Sequence, residues 1–426
     1  MPNPTGKNGY GEKIVPSDEA LEAALRRYAA QNLKLEVRIA NLQSDLNYSI
    51  RLTKLKALNK KFRIPTVRKA PAIEVARQAI IDKVVMDITQ QNGPNYFKTL
   101  LQQEGIMIPR DTVHQIMREH FPLGFENRFP GNKKSPIPRT ALNACGPFHE
   151  ISSDGHEKLG KQALDMGDIG LPIYGYKDKW SDEIPLMNFV PNNRTAAAIG
   201  HLFLDFIEFT GGIPIQMTMD KGSEIGWQYV IQDTFRATFA PDIDPEVYAI
   251  CRLIKSVHNT IIEAFWRWLK EKLGRNLKEF ILIGKTERIF SADIDFHVSL
   301  FYWIFIPLLQ AKLDEFRLWW NHHRVRAQQE KNMPSGHVPA DAFTHPENYG
   351  GIDCRIAVPQ AAVDDMRQML TDEVGSRESH LSWYDLEFAE LAAQAYLHIG
   401  KPTLSLETAW DVFQQMAQPI ADVIEL

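Results

Sequence analysis

Three acidic residues far apart in the chain, Asp154, Asp220 and Glu263, have the neighbours and the positions to act together. In Ile213-Pro-Ile-Gln-Met-Thr-Met-Asp220, the apolar Ile215, Met217 and Met219 alternate with polar residues, the period of a half-buried strand. Asp220 falls at its end, where Lys221-Gly222-Ser223 turns the chain. Further on, Ser256 is placed to cap a helix whose apolar stripe is Ile262, Trp266, Leu269 and Leu273. Asn259, Glu263, Arg267 and Lys270 share the adjacent polar face. Upstream, Phe148-His-Glu-Ile-Ser-Ser-Asp154-Gly-His156 reads as a short strand with Asp154 near its end. Carboxylates are the hard oxygen ligands that Mg²⁺ or Mn²⁺ takes, completed by water and substrate phosphate. Two such ions about 4 Å apart activate an attacking oxygen and stabilise a leaving one in phosphoryl transfer. Taken singly, each acid is better explained as a cap, a turn or an ion pair. The chemistry rests on all three converging.

The motifs around these acids occur in a definite order: Ser153-Asp154-Gly-His156, Met219-Asp220-Lys-Gly-Ser-Glu224, and Ser256-Val-His-Asn259-Thr-Ile-Ile-Glu263. Together they resemble the DDE catalytic core of retroviral-type integrases and transposases. More narrowly, they resemble the integrase-core-domain proteins of eukaryotic, especially fungal, genomes. The resemblance implies a ribonuclease H-like α/β fold, a mixed five-stranded sheet with flanking helices, over residues 141–275. It implies Asp154, Asp220 and Glu263 as catalytic residues and as ligands of two Mg²⁺ or Mn²⁺ ions, with DNA contacts from Asn259, Arg267 and Lys270. Water would first cut a phosphodiester at an element end, and the freed 3′-hydroxyl would then attack target DNA. The sequence departs from the pattern in two places. Forty-two residues separate Asp220 from Glu263, with Ala240-Pro-Asp-Ile-Asp-Pro245 as the evident insertion, and Ala264 replaces the basic residue that often follows the catalytic Glu. Glu224 is the reserve candidate for a third ligand. The alternative function is a transposon-derived DNA-binding or chromatin-associated protein that keeps the fold without catalysis; a third is a coiled-coil scaffold whose core only packs.

The elements that must position this site are expected as strands near 148–153, 171–176, 185–190, 213–219 and 247–251, with a helix at 194–210. Ahead of them, residues 1–16 are rich in Gly, Pro and Asn and are expected to be disordered. From 17 to 70 the residues Leu21, Leu25, Tyr28, Asn32, Leu35, Ile39, Leu42 and Leu46 recur at heptad spacing. That spacing predicts a coiled-coil helix joining copies of the chain, or an amphipathic helix docked on its own protein. The stretch Arg51–Lys69 holds eight basic residues and no acidic one. Lys60, Lys61 and Arg63 there are candidate phosphate contacts, with a solvated linker or a nuclear-import signal as alternatives.

Residues 71–121 read as a helix over 73–92, a short helix over 95–103, a Gly105 turn and a helix over 110–120, a helix-turn-helix candidate. Its recognition helix would present Arg110, His114, Gln115 and Arg118 to DNA. Residues 122–140 read as a linker, 276–350 as an aromatic helical extension and 351–426 as an acidic helical tail. His322-His323 is expected as a satisfied surface pair. Charge is uneven: residues 1–140 carry 23 Lys+Arg against 13 Asp+Glu, and the remainder 25 against 40. A basic front half suits an anionic partner. The apolar run 298–309 is too short to span a bilayer, and the three cysteines give no disulfide or zinc spacing. A soluble intracellular, nuclear protein is expected, with DNA as partner and no membrane.

Overall fold

The protein is described from a computed structural model, which covers residues 15–122, 124, 143–156, 169–254, 259–328 and 332–424. At its centre β1 (Glu150–His156), β2 (Ile173–Asp178) and β3 (Met187–Phe189) form an antiparallel meander. β5 (Gln216–Asp220) adds parallel to β1 and β6 (Cys251–Ile254) adds parallel to β5, giving the order β3-β2-β1-β5-β6. This is the ribonuclease H-like arrangement expected from the sequence. The strand expected over 213–219 is divided at Pro214, which has no N–H for a ladder. Before it, β4 (Gly212–Ile213) pairs with β7 (Ile356–Ala357) in a separate two-stranded sheet. The strand expected at 247–251 lies instead at 251–254; Val247 and Tyr248 are exposed.

Each face of the sheet has its own apolar core. On one face, α7 (Ala196–Thr210) and α8 (Gly226–Phe239) pack Leu202, Phe206 and Ile231 against Ile151, Tyr176, Met217 and Met219. α7 ends at Gly211, whose φ of +74° closes the helix in the left-handed conformation glycine adopts freely. On the other face lie α9 (Thr260–Leu269), a π-helical turn at Lys270–Gly274, α10 (Arg275–Thr286) and α11 (Asp295–His322). They bury Ile262, Phe265, Trp266, Phe305 and Phe316 against Ile173, Met187 and Phe189. α11 runs 28 residues through the run expected to be too short, and by length and composition alone it is long and apolar enough to cross a membrane. Its apolar side is spent inside the protein: Leu300, Phe301, Ile304, Phe305, Leu309 and Leu313 are fully buried.

The heptad pattern does not make one long helix. Residues 18–61 fold as α1 (Asp18–Ala30), α2 (Leu35–Leu46) and α3 (Leu52–Lys61), with Asn32 and Asn47 at φ +54° and +47° in the bends. Seam residues Leu21, Leu25, Tyr28 and Leu42 are buried with Leu55, Met107 and Val338 of the same chain. The docked alternative is therefore the observed one, and the expected coiled-coil seam is consumed within the chain. A buried polar cluster ties this unit to α12 (Pro339–Thr344) and the turn after it. Asp341, 1% exposed, accepts from Asn41 Nδ2 at 2.6 Å and from the Tyr349 hydroxyl at 2.5 Å. His345 Nε2 lies 2.7 Å from Asp45 Oδ1, and its Nδ1 lies 3.3 Å from Asp341 Oδ1. Asp45 also accepts from the Tyr28 hydroxyl and from Arg27.

α4 (Ile73–Val85), α5 (Pro94–Gln103) and α6 (Arg110–His120) form a three-helix unit, with Gly105 at φ +77° in the turn before α6. α4 ends at Val85 rather than 92, and buried Asp87 then accepts from Asn92 N at 2.7 Å and from Asn276 Nδ2 at 2.8 Å. The unit packs on α11 through Tyr96 against Trp319, ring centroids 4.9 Å apart. The C-terminal residues are not a separate tail. α13 (Gln360–Val374) and α14 (Arg377–Leu381) pack on α7, and α16 (Ala409–Ile424), with α15 (Leu386–His398) against it, packs on α11. Of residues 1–16, expected to be disordered, 1–14 lie outside the described residues, as does nearly all of the expected linker.

Candidate active site

The three acids come from three elements. Asp154 is on β1, two residues before its end; Asp220 ends the neighbouring β5; Glu263 is in the first turn of α9, which packs on β1. The ladder aligns Ser152 with Thr218, so continuing the parallel register brings Asp154 beside Asp220. The electrostatics record the same convergence. Burial, the largest effect, pushes the Asp154 carboxyl up to about 7; a hydrogen bond from Trp266 pulls it back, and Asp220 and Glu263 raise it further. The backbone N–H of Gly155 also lowers it.

The donors around the acids are specific. Trp266 Nε1 donates to Asp154 Oδ2 at 2.8 Å. Asn259 Nδ2 lies 3.3 Å from Asp220 Oδ1 and 3.4 Å from the Ser153 carbonyl. Behind β1, Gln228 Nε2 donates to Ser153 Oγ at 3.0 Å and Tyr174 donates to Gln228 Oε1 at 3.0 Å, which fixes the strand from its other face. Glu150, four residues before Asp154 on the same side of β1, is buried and fully answered. Lys179 Nζ stands 2.7 Å from it, Thr218 Oγ1 2.8 Å, and Arg252 3.7 Å. Charge is neutralised at one end of the face and accumulates at the other.

Asp154, Asp220 and Glu263 are the carboxylates that the sequence offers to a divalent cation. All three offer the hard oxygens that such a cation takes. Among the described residues, no group of three or more His, Cys, Asp or Glu side chains stands ready to hold a metal ion. The acids are gathered but not closed, with Asp154 turned onto the indole.

Other sequence expectations fare differently. The expected cap Ser256 lies outside the described residues; Asn259 is the residue before the first turn of α9. Asn259 was expected to reach DNA, but it is 1% exposed and its amide is spent on Asp220 and Ser153, so it faces the site and not solvent. Arg267 is exposed and Lys270 half-buried on the same helix and its continuation. Glu224 is half-buried just after the turn that follows β5. On α6, Arg110 and Arg118 are exposed, with Arg110 donating to Asn95 Oδ1 at 3.1 Å. Gln115 is exposed and donates to Glu119, and His114 is half-buried. Lys60 and Arg63 are exposed at the end of α3, while Lys61 pairs with Asp18 at 2.5 Å. The basic groups of α3 and α6 therefore lie away from the acids in sequence, while Arg267 and Lys270 follow Glu263 closely. His322 and His323 are not a surface pair. Burial holds His322 down at about 4, and His323 stacks on Trp319 with ring centroids 5.1 Å apart.

Sequence reasoning missed Trp266 and His156 as parts of the site. The heptad-like stripe identified Trp266 only as apolar, yet the histidine ring stacks on its indole at 4.9 Å.

Comparison with known proteins agrees with this geometry over part of the chain. Residues 167–340 match the family model of the integrase core domain, a stretch that includes Asp220 and Glu263 and begins after Asp154. No curated protein matches the chain. Solved structures similar to it include the "Mos1 transposase paired-end complex with left transposon end", at 11% identity over 64% of this chain and 96% of that one, TM-score 0.17. The "Mos1 Strand Transfer Complex" is similar at 10% identity over 63% and 95%, TM-score 0.16. Both likenesses are too loose to carry an argument.

Proposed function

We propose that this chain is a metal-dependent polynucleotidyl transferase of the integrase or transposase kind, with Asp154, Asp220 and Glu263 as its catalytic triad. The observation that carries the proposal is the meeting of three carboxylates from β1, β5 and α9 on a ribonuclease H-like sheet, near enough for Asp220 and Glu263 both to raise Asp154. Bound Mg²⁺ or Mn²⁺ would supply a lowered water pKa and charge neutralisation for in-line phosphoryl transfer. The chain's own part is positional. Trp266 orients Asp154, Asn259 orients Asp220, and the first turn of α9 carries Glu263. DNA is the proposed substrate, met by Arg110, His114, Gln115 and Arg118 of α6 and by the exposed cations Lys60, Arg63 and Arg267. Of the remaining two proposed contacts, Lys61 would have to leave Asp18, and Lys270 is half-buried.

The test is cleavage and strand transfer with DNA ends taken from the flanks of the element that encodes the chain, in Mg²⁺ and in EDTA. Activity in Mg²⁺ that disappears in EDTA and in Asp220→Asn and Glu263→Gln supports the proposal. The second reading, a DNA-binding protein that keeps the fold without chemistry, draws on the open arrangement of the acids. DNA binding without metal-dependent cleavage by the wild-type chain would establish that reading instead.

A further inference from the structure

Trp266 is 1% exposed and belongs to the apolar core beneath the sheet. Its N–H does not. A buried indole N–H needs an acceptor, and here the acceptor is Oδ2 of Asp154, 112 residues earlier in the chain, at 2.8 Å. Three elements fix the ring. It hangs from α9 one turn beyond Glu263; His156 of β1 stacks on it with an interplanar angle of 14°; and Gly175 of β2 leaves room for it. A methyl group on Gly175 would come within 3.0 Å of the ring edge, so glycine there is what lets the indole lie against the strand. A residue needed only as apolar filling would not require this direction of its polar edge.

We propose that Trp266 is a positioning residue for the candidate triad. Its N–H takes one oxygen of Asp154, sets the rotation of that carboxylate, and leaves the other oxygen for a divalent cation. This rests on the reading of the site given above. Because Glu263 and Trp266 are three residues apart on one helix, the same hydrogen bond also fixes α9, and hence Glu263, against β1. Partners that orient metal-binding carboxylates and imidazoles change metal affinity by about 10- to 100-fold when removed.

The test replaces Trp266 in the full chain with 3-(3-benzothienyl)alanine, which keeps the bicyclic shape and puts sulfur in place of the N–H. Mn²⁺ binding is read by electron paramagnetic resonance and folding by circular dichroism and thermal melting. Asp220→Asn serves as the site control, and the same replacement at Trp268, which is 49% exposed, as the shape control. The expected result is a folded Trp266 variant whose Mn²⁺ affinity falls about tenfold or more, with the Trp268 variant unchanged. A folded Trp266 variant that binds Mn²⁺ as the wild type does overturns the positioning role and leaves the proposed function standing. A wild-type chain with no Mn²⁺ binding sensitive to Asp220→Asn overturns the reading of the site, and the positioning role with it. If the replacement unfolds the chain, the wild-type indole decides. Its ¹H–¹⁵N resonance must shift saturably with Mg²⁺, over the range in which Mn²⁺ binds, and an unmoved resonance overturns the proposal.

Discussion

Two groups of acids in this protein, one around buried Asp341 and one around half-buried Asp154, are built on opposite plans. In the cluster that ties the N-terminal helices to α12, every carboxylate is answered. Burial would raise Asp341, yet hydrogen bonds from His345, Tyr349 and Asn41 hold its carboxyl below 3.8. In the candidate site, burial and the neighbouring carboxylates raise Asp154 to about 7, against one indole N–H and one backbone N–H. The first plan joins two parts of a fold. The second keeps negative charge in waiting at a cost to stability, as a cation site does before its ion arrives.

The largest expected effect comes from breaking the satisfied cluster. Asp341→Ala leaves Asn41, Tyr349 and His345 facing a void. Removing one member of a buried charged group costs about 3–5 kcal/mol. Urea unfolding should show a loss of that size, and a loss under about 1 kcal/mol would mean that the cluster is solvated decoration.

The same kind of substitution in the other cluster should act in the opposite direction. Asp154 binds its proton more tightly folded, at about 7, than unfolded, at 3.8. Stability therefore falls as pH rises from about 4 to about 7, and the cost is fully present above that window. Asp154→Asn should stabilise the metal-free protein at pH 8 by roughly 2 kcal/mol, with the gain gone by about pH 4, while cleavage is abolished. Destabilisation at pH 8 would place Asp154 with the structural acids.

Mg²⁺ should act through mass action. At a hundredfold excess over its dissociation constant, a ligand bound only by the folded state adds about 2.7 kcal/mol at most, less where the ion meets the unfolded chain too. The melting temperature of the wild type at pH 8 should rise with Mg²⁺, and that of Asp154→Asn should not. Equal shifts in both would mean that the ion binds elsewhere.

The contrast between the clusters was only half legible in the sequence. Alternation of Ile215, Met217 and Met219 gave β5 and put Asp220 at its end, because strand period and turn residues are local signals. β6 was misplaced by four residues, because the apolar Val247-Tyr-Ala-Ile run looks like a strand although Val247 is 67% exposed. The heptads over 21–46 misled for a related reason. Spacing alone describes a helix's apolar side and not what covers it, and Asn32 and Asn47 are the residues that tolerate the left-handed bends. The Trp266–Asp154 and Asn41–Asp341 hydrogen bonds were invisible, since each joins residues more than a hundred positions apart.

The smallest effect expected is the pH dependence of the satisfied cluster itself, which separates the two plans most finely. Burial alone would lower His345, but Asp341 and Asp45 outweigh it and hold the imidazolium, so its pKa lies above 6.5 when folded. A group with a raised folded pKa gives stability that is fully present below its unfolded value and is lost as pH rises through its folded one. His345 should therefore support the junction at pH 6 and progressively less above, a window that starts near where the Asp154 cost has finished growing. The other charged or titratable groups at this junction include Arg27, Tyr28, Asp45, Asp341, Tyr349, Glu347 and Arg324. Asp341 stays ionised above 3.8, so it does not titrate with the histidine. His345→Gln keeps a donor but loses the charge. It should cost about 1–2 kcal/mol at pH 6 and less at pH 9, measured by urea unfolding at both. A cost that grows with pH instead would mean that neutral histidine is the stabilising form, and that Asp45 and Asp341 hold the junction without an ion pair.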